Sequence, residues 1–325
     1  MSLSINTNTS AMVALETLNA TQTALSATEN AVSTGKKVAN ASDSPAAFGI
    51  ASQMNGNIAG QNAVNDGLSF ASTVVSSTNS AANQILSVLA EVQAAVTTIG
   101  SNEGSSTSLA QINTEITGYL SQIDTIANNA TTNGVNLLVS SSSASTTGSF
   151  NGITAASVVY VTGLQGSTAT ISNLFSIING VSSVTGTGAT ASLTEALGLS
   201  TGVDSNGLAT GNGFLTSDGS LSSSWGGATG GTFDLTSAIA AVQKAITAMT
   251  NVTSTLGQNT KNIANMTTFG QTVADNLTTG VGALTDADMS AESAQLTSLQ
   301  TKQSLAIKSL SIANGQSQNI LSLFQ

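Results

Sequence analysis

Apolar residues in this chain recur at alternating steps of three and four over long stretches. From Val64 the series runs Leu68, Ala71, Val75, Thr78, Ala82, Ile85, Leu89, Val92, Val96, Ile99. A second runs Leu109, Ile112, Ile116, Tyr119, Ile123, Ile126, Ala130, and a third Ile239, Val242, Ile246, Met249, Thr253, Leu256, Thr260, Ile263. An α-helix has about 3.6 residues per turn, so this spacing lays one apolar stripe along one side, as in helices packed in a bundle or coiled coil. The first series alone predicts a helix of roughly 54 Å at 1.5 Å rise per residue. These stripes describe a core and point to no ligand.

The two ends carry thinner stripes. One is Ala11, Ala14, Leu18, Thr21, Leu25, Thr28, Val32; the other is Leu296, Leu299, Gln303, Ala306, Leu310, Ala313, Ser317, Ile320, Phe324. Small or polar residues interrupt both. At about 1.5–3 kcal/mol for each buried Leu or Val, three anchors barely offset the backbone entropy of a helix of about 30 residues. The ends are therefore expected to be poorly ordered in the monomer and to fold on meeting partners. They are also expected to pair with each other, antiparallel.

Between the helical flanks, residues 140–235 are rich in Ser, Thr and Gly. Short runs such as Ser157–Thr162 and Leu174–Ile178 read as strands, and Phe214, Trp225 and Phe233 favour a small folded β-rich domain over a flexible linker. Asn133-Gly134 predicts a turn with positive φ, opening a hairpin into Val135–Val139. The fold class is thus mainly α with a β-rich insertion: a long antiparallel coiled-coil or helical-bundle rod from both termini, with a variable β domain in the middle.

Composition narrows the function. Cys, His and Arg are absent, all six basic residues are lysines, and the net charge is −10. Cys or His nucleophiles, imidazole bases and Cys/His zinc sites are impossible, so an enzyme is not expected, nor any cofactor. Nucleic-acid binding needs clustered cations, which are missing. No run of about 18 apolar residues predicts a membrane span, and the first residues have neither the basic leader nor the apolar stretch of a signal peptide. The expectation is a protein without oxidative folding that, if exported, uses a dedicated route. Asp286-Ala-Asp288 is read as a solvated turn or helix N-terminus, where acids are favourable, and not as a metal site. Pro45 disfavours helix at Ser44 and suits the first position of a new helix.

Several ordered motifs resemble the bacterial flagellins: SINTNTSAMVALETL from Ser4, VSTGKKVANASDSPAAFGIASQM from Val32, and NAVNDGLSFAS from Asn62. Towards the other end come TLGQNTKNIANM, ADNLTTGVGALTDADMSAESAQL and IANGQSQNILSLFQ. The likeness covers residues 1–139 and 236–325; the middle matches no family segment. It implies a secreted, extracellular subunit of the flagellar filament used for swimming, exported unfolded through the type III apparatus and joined to copies of itself or of other flagellins. The flagellar cap, hook–filament junction proteins and an export chaperone are further implied partners. By resemblance, residues 1–40 and 285–325 are inner-tube helices, 41–139 and 236–284 the wall, and 140–235 the exposed domain. Leu18, Leu25, Val32, Leu296, Leu299, Leu310, Ile320 and Leu323 are the expected assembly interface. Asp43 and Pro45 belong to the spoke joining tube to wall.

The chain departs from the family in lacking arginine. In QILSVLAEVQ, which resembles the segment recognised by Toll-like receptor 5, Ser87, Leu89 and Glu91 stand where Arg, Arg and Leu are common, while Glu115 matches the usual acid. Losing a central Arg can cost about 2 kcal/mol or more at an interface, so weak receptor activation is expected. A junction protein would share such termini. The rival of a different class is an enzymatic insert, whose usual metalloprotease form needs two histidines on a helix and finds none here. A glycan-binding role for 140–235, with Trp225 stacking on a sugar, is a further reading.

Overall fold

The computed structural model describes residues 8–139, 155–179, 192–203, 208–216, 218, 220–222 and 233–321. Helices α1 (Thr9–Thr34), α2 (Pro45–Asn102) and α3 (Ser106–Asn129) come first. Strands β1 (Val158–Val161) and β2 (Thr168–Ile171), the short helices α4 (Phe175–Asn179) and α5 (Leu193–Ala196), and strands β3 (Ser200–Val203) and β4 (Ala209–Asn212) follow. Helices α6 (Leu235–Thr285) and α7 (Met289–Leu321) close the chain. The residues group into two compact units, 1–60 with 273–325 and 61–272; α2 and α6 contribute to both.

In the unit of residues 61–272, one continuous core joins α2, α3, α6 and the described middle segments. Every position of the first apolar series, from Leu68 to Ile99, is 0–1% exposed. α2 has 58 residues, about 87 Å at the standard rise. On α3 the buried line includes Leu120, with Tyr119 only half-buried beside it. On α6 it is Ala238, Val242, Ala245, Met249, Val252, Leu256. The expected Ile239, Ile246 and Thr253 flank this line, which alanines complete. Small residues at the contact let helices approach closely, and hydrophobicity counts alone undervalue them.

Helix ends follow local chemistry. Ser105, in extended conformation, accepts from Ser108 N–H at 3.3 Å and starts α3. Asn133 (φ 50°) and Gly134 (φ 80°) form the expected two-residue turn, with Thr132 and Val135 exchanging backbone hydrogen bonds of 2.9 and 3.0 Å. The expected hairpin does not extend. Asn136, Leu137 and Leu138 are consecutively buried at 0%, which no alternating strand allows, and Val135 instead bridges Ala155 in parallel.

Two small antiparallel sheets occupy the middle. β1 pairs β2 from Val158↔Ile171 to Val161↔Thr168; β3 pairs β4 with irregular register. The strand expected at Ser157–Thr162 is present. Leu174–Ile178 is helical instead. Asn173 Oδ1 accepts from Phe175 N–H at 2.6 Å and caps the turn, while Leu174 and Ile178, one turn apart, are buried together. A short apolar run fits helix or strand equally, and the cap decided. Phe214 is fully buried and Phe233 packs against the same core; Trp225 lies outside the described residues. Leu197, Leu199 and Phe214 share their core with α3.

Candidate assembly interface

In the unit of residues 1–60 and 273–325, α1 and α7 form an antiparallel pair. Asn8 Nδ2 donates to Ala313 O at 2.9 Å, while at the opposite end Ala287 N–H donates to Gly35 O at 2.9 Å and Lys36 bridges Asp286. Asn8 also caps α1, its Oδ1 accepting from Ala11 N–H at 3.0 Å. α1 stops at Gly35, whose φ of 69° suits glycine and whose N–H reaches Ala31 O.

The thin terminal stripes form the seam of this pair. Leu25, Leu299, Ala306 and Ala313 are buried, as are Thr21 and Thr28; Leu18, Val32, Leu296 and Leu310 are half-buried. Buried threonines are tolerated because each hydroxyl can bond back along its own helix, as Thr21 does to Thr17 O at 2.7 Å. The side chain of Ile320 and all of Leu323 lie outside the described residues. Among the predicted interface residues, the described ones therefore contact the chain's own partner helix.

A second set of apolar side chains points outward, and the stripe analysis missed it. On α1, Met12, Val13 and Leu15 are 65, 62 and 49% exposed; on α7, Leu305, Ile307 and Ile312 are 67, 54 and 71% exposed. A groove of about 340 Å³ lies beside the seam, lined by Val13, Ala14, Thr17, Lys302, Leu305 and Ala306 among others. The signal was available in the sequence as apolar residues left over once the seam was assigned. A soluble helix pair has no reason of its own to place six of them outward.

The loop between α1 and α2 is built as Pro45 suggested. α2 begins at Pro45, with Ser44 at the cap. Asp43 Oδ2 accepts from Ala39 and Asn40 N–H, both at 2.9 Å, closing the loop on itself. Lys37 and Val38 N–H donate to Thr285 O, and Lys37 Nζ donates to Ala283 O at 3.0 Å. The last carbonyls of α6 thus receive a cation and two backbone donors, which suits the negative end of a helix dipole.

Asp286 and Asp288 do what a loop and a cap require. Asp288 Oδ1 accepts from Ser290 N–H at 2.9 Å and from its hydroxyl at 2.6 Å, starting α7, and the Ser290 hydroxyl holds the carboxyl below its ordinary range. Thr285 Oγ1 donates to Asp286 at 3.2 Å. Among the described residues, no group of three acids, histidines or cysteines could hold a metal, and no helix is long and apolar enough to cross a membrane.

The segment compared with a receptor-binding stretch is split by burial. Ser87 and Glu91 are exposed on α2, whereas Leu89 is fully buried in the core series and offers no surface. Glu115, exposed on α3, accepts from Tyr119 Oη at 3.2 Å and raises the phenol's pKa, with burial and Glu91 adding to the effect.

One polar site escaped sequence reasoning altogether. Asp124 is 1% exposed and accepts from Thr194 N–H and Oγ–H and from Ala209 N–H. Its signal was a carboxylate on the apolar side of α3, between Leu120 and Ala127. Burial pushes the carboxyl up to about 7 although all three donors pull the other way.

Two family models match the chain: the bacterial flagellin N-terminal helical region over residues 5–143 and the bacterial flagellin C-terminal helical region over 239–324. Flagellin C of Rhizobium meliloti is 33% identical, with 99% of each chain covered. A flagellin of Brucella melitensis is 30% identical, again over 99% of both, and flagellin FljK of Caulobacter vibrioides is 29% identical over 99% of this chain and 98% of its own. With both helical regions matched in order and relatives aligned from end to end, the chain belongs to the bacterial flagellin family, the non-enzymatic structural proteins that polymerise into the flagellar filament outside the cell.

Proposed function

We propose that this flagellin joins its filament through the α1–α7 pair, in a division of labour. The seam residues Leu18, Leu25, Val32, Leu296, Leu299 and Leu310 hold the two helices together, and the outward residues Met12, Val13, Leu15, Leu305, Ile307 and Ile312 meet neighbouring subunits. Ile320, whose side chain is outside the described residues, and Leu323, wholly outside them, are proposed as part of the same assembly interface. The observation that carries this reading is the set of exposed apolar side chains on both helices of one pair. Each is costly in water and gains about 1.5–3 kcal/mol when fully covered, so burial by a second copy supplies the driving force.

On this reading residues 1–40 and 285–325 form the inner tube, 41–139 and 236–284 the wall, and 140–235 the outer part. The loop closed by Asp43 and ended at Pro45 is the spoke between tube and wall. The cap and the hook–filament junction proteins adjoin the polymer at its ends, and an export chaperone covers the C-terminal helix before secretion. Ser87 and Glu91 in place of the common Arg and Leu make recognition by Toll-like receptor 5 weak.

Electron microscopy of purified protein seeded with short filament fragments tests the assembly reading. The full chain should give long tubes, and a chain lacking residues 314–325 none. The double substitution Leu305→Asn, Ile312→Asn should leave the helix content of the monomer unchanged and suppress elongation. Tubes of normal length from that variant would remove the outward residues from the interface.

A further inference from the structure

Asp124 fastens a distant stretch of chain to α3. Thr194 N–H reaches Oδ1 at 2.9 Å, Thr194 Oγ–H reaches Oδ2 at 2.7 Å, and Ala209 N–H reaches Oδ2 at 3.0 Å. These donors sit in α5 and at the start of β4, so one side chain holds two separate elements. Asn212 adds a second fixing point, its Nδ2 donating to Asn113 Oδ1 at 2.6 Å while its Oδ1 accepts from Phe214 N–H at 3.0 Å.

Among the described residues, no opposite charge accompanies the buried carboxylate. Glu195, the one titratable residue of α5, turns back to accept from Ser192 N–H at 3.2 Å, and β3 and β4 carry none. Asp66 and Glu91 on α2, Glu115 on α3, and Lys244 and Lys261 on α6 are all exposed. An ionised carboxylate here is stabilised by hydrogen bonds from Thr194, Ala209 and Ser192 and opposed by the loss of its water shell.

The neighbouring hydroxyls accommodate either protonation state. Ser192 Oγ and Thr194 Oγ1 are 3.1 Å apart, and either can donate. With a proton on Oδ2, Asp124 donates to Thr194 Oγ1 and the Thr194 hydroxyl turns to Ser192. When that proton leaves to water, the Thr194 hydroxyl turns back to donate to the carboxylate. Hydroxyl contacts are conserved through the change, and what differs is one uncompensated buried charge.

We propose that Asp124 is a pH-sensitive latch which, when protonated, holds α5 and β4 on α3 and, when ionised, loosens them. The sign follows from burial. The docked carboxyl is pushed up to about 7, and on release it regains water and its ordinary value of 3.8. A group whose value is raised in the docked state stabilises docking fully below the released value, and that contribution is lost as pH rises through the docked value. The docking equilibrium should fall about tenfold between pH 6 and pH 9.

Hydrogen exchange of the full chain, corrected for the intrinsic pH dependence of exchange, measures the latch. Protection of the Thr194 and Ala209 amides should drop about tenfold from pH 6 to pH 9, while amides in the middle of α2 keep theirs. In Asp124→Asn the protection should be independent of pH, whatever its level. Should that variant fail to fold, carboxyl-carbon NMR of the unmodified protein decides: Asp124 should titrate near neutrality. Titration in the ordinary carboxylate range, or corrected protection that does not change with pH, would overturn the proposal.

Discussion

An arginine at position 89 would have to place a guanidinium where Leu89 is fully buried between its core neighbours. Burying an unpaired charge is among the few single changes that cost more than about 4 kcal/mol. Leu89→Arg should therefore lower the midpoint of urea unfolding sharply and leave the response of Toll-like receptor 5 reporter cells no higher than that of the unmodified protein. A raised response from a stably folded variant would show that this side chain can reach the surface. Ser87 and Glu91, both exposed, are positions of this segment that can be altered without touching the core. Aligned by sequence alone, the three positions look equivalent. Half a helical turn separates those that face solvent from the one that does not.

Elements in this chain are joined by buried amides as much as by apolar contact. Asn136, 0% exposed, donates to Ala127 O at 2.7 Å and to Thr131 Oγ1 at 3.2 Å, and its Oδ1 accepts from Leu138 N–H at 2.9 Å. One side chain thus donates to a carbonyl at the end of α3 and orients the segment that follows. Asn136→Ala strips these bonds and leaves the buried Leu138 N–H without its acceptor, at about 1–3 kcal/mol for a group left without a bond. The expected result is a loss of about 2 kcal/mol or more in denaturant unfolding, with α3 fraying at its C-terminus. A loss below about 0.5 kcal/mol would mean that water reaches the vacated site. The same element shows why the hairpin expected after Gly134 was misread: the turn was legible, but the side-chain bonds of Asn136 take the chain away from the pairing the turn began.

Across the molecule, a net charge of −10 with only six lysines makes like subunits repel as they assemble. Salt screens that repulsion over about 10 Å at 0.1 M, while the apolar contacts of the α1–α7 pair are not weakened by it. Raising salt from low to near-physiological concentration should speed elongation from seeds, followed by light scattering or microscopy. Slower growth at higher salt would place attractive ion pairs, and not screened repulsion, in control of assembly. The thin seam of α1 and α7 belongs to the same balance, since a pair held by Leu25, Leu299 and small residues gains from every neighbour that covers its outward side chains.

The spacing of apolar residues was enough to determine the long helices, the stripe that α2 buries and the seam of the terminal pair, because a helix converts sequence separation directly into a face. Local chemistry likewise announced the stop before Pro45, the turn at Asn133-Gly134 and the cap at Asp288. The motifs at both ends carried the family. Tertiary structure alone decided the rest. Whether Leu174–Ile178 became helix or strand depended on Asn173 and on the core beneath it, since both periods fit five residues. Which apolar residues of α1 and α7 stayed outside depended on how narrow the seam was. That the middle segment shares the core of α3, held by Asp124 across 70 and 85 residues of sequence, could not be read from any local pattern, because the energy of a buried carboxylate is set by the neighbours that folding brings to it.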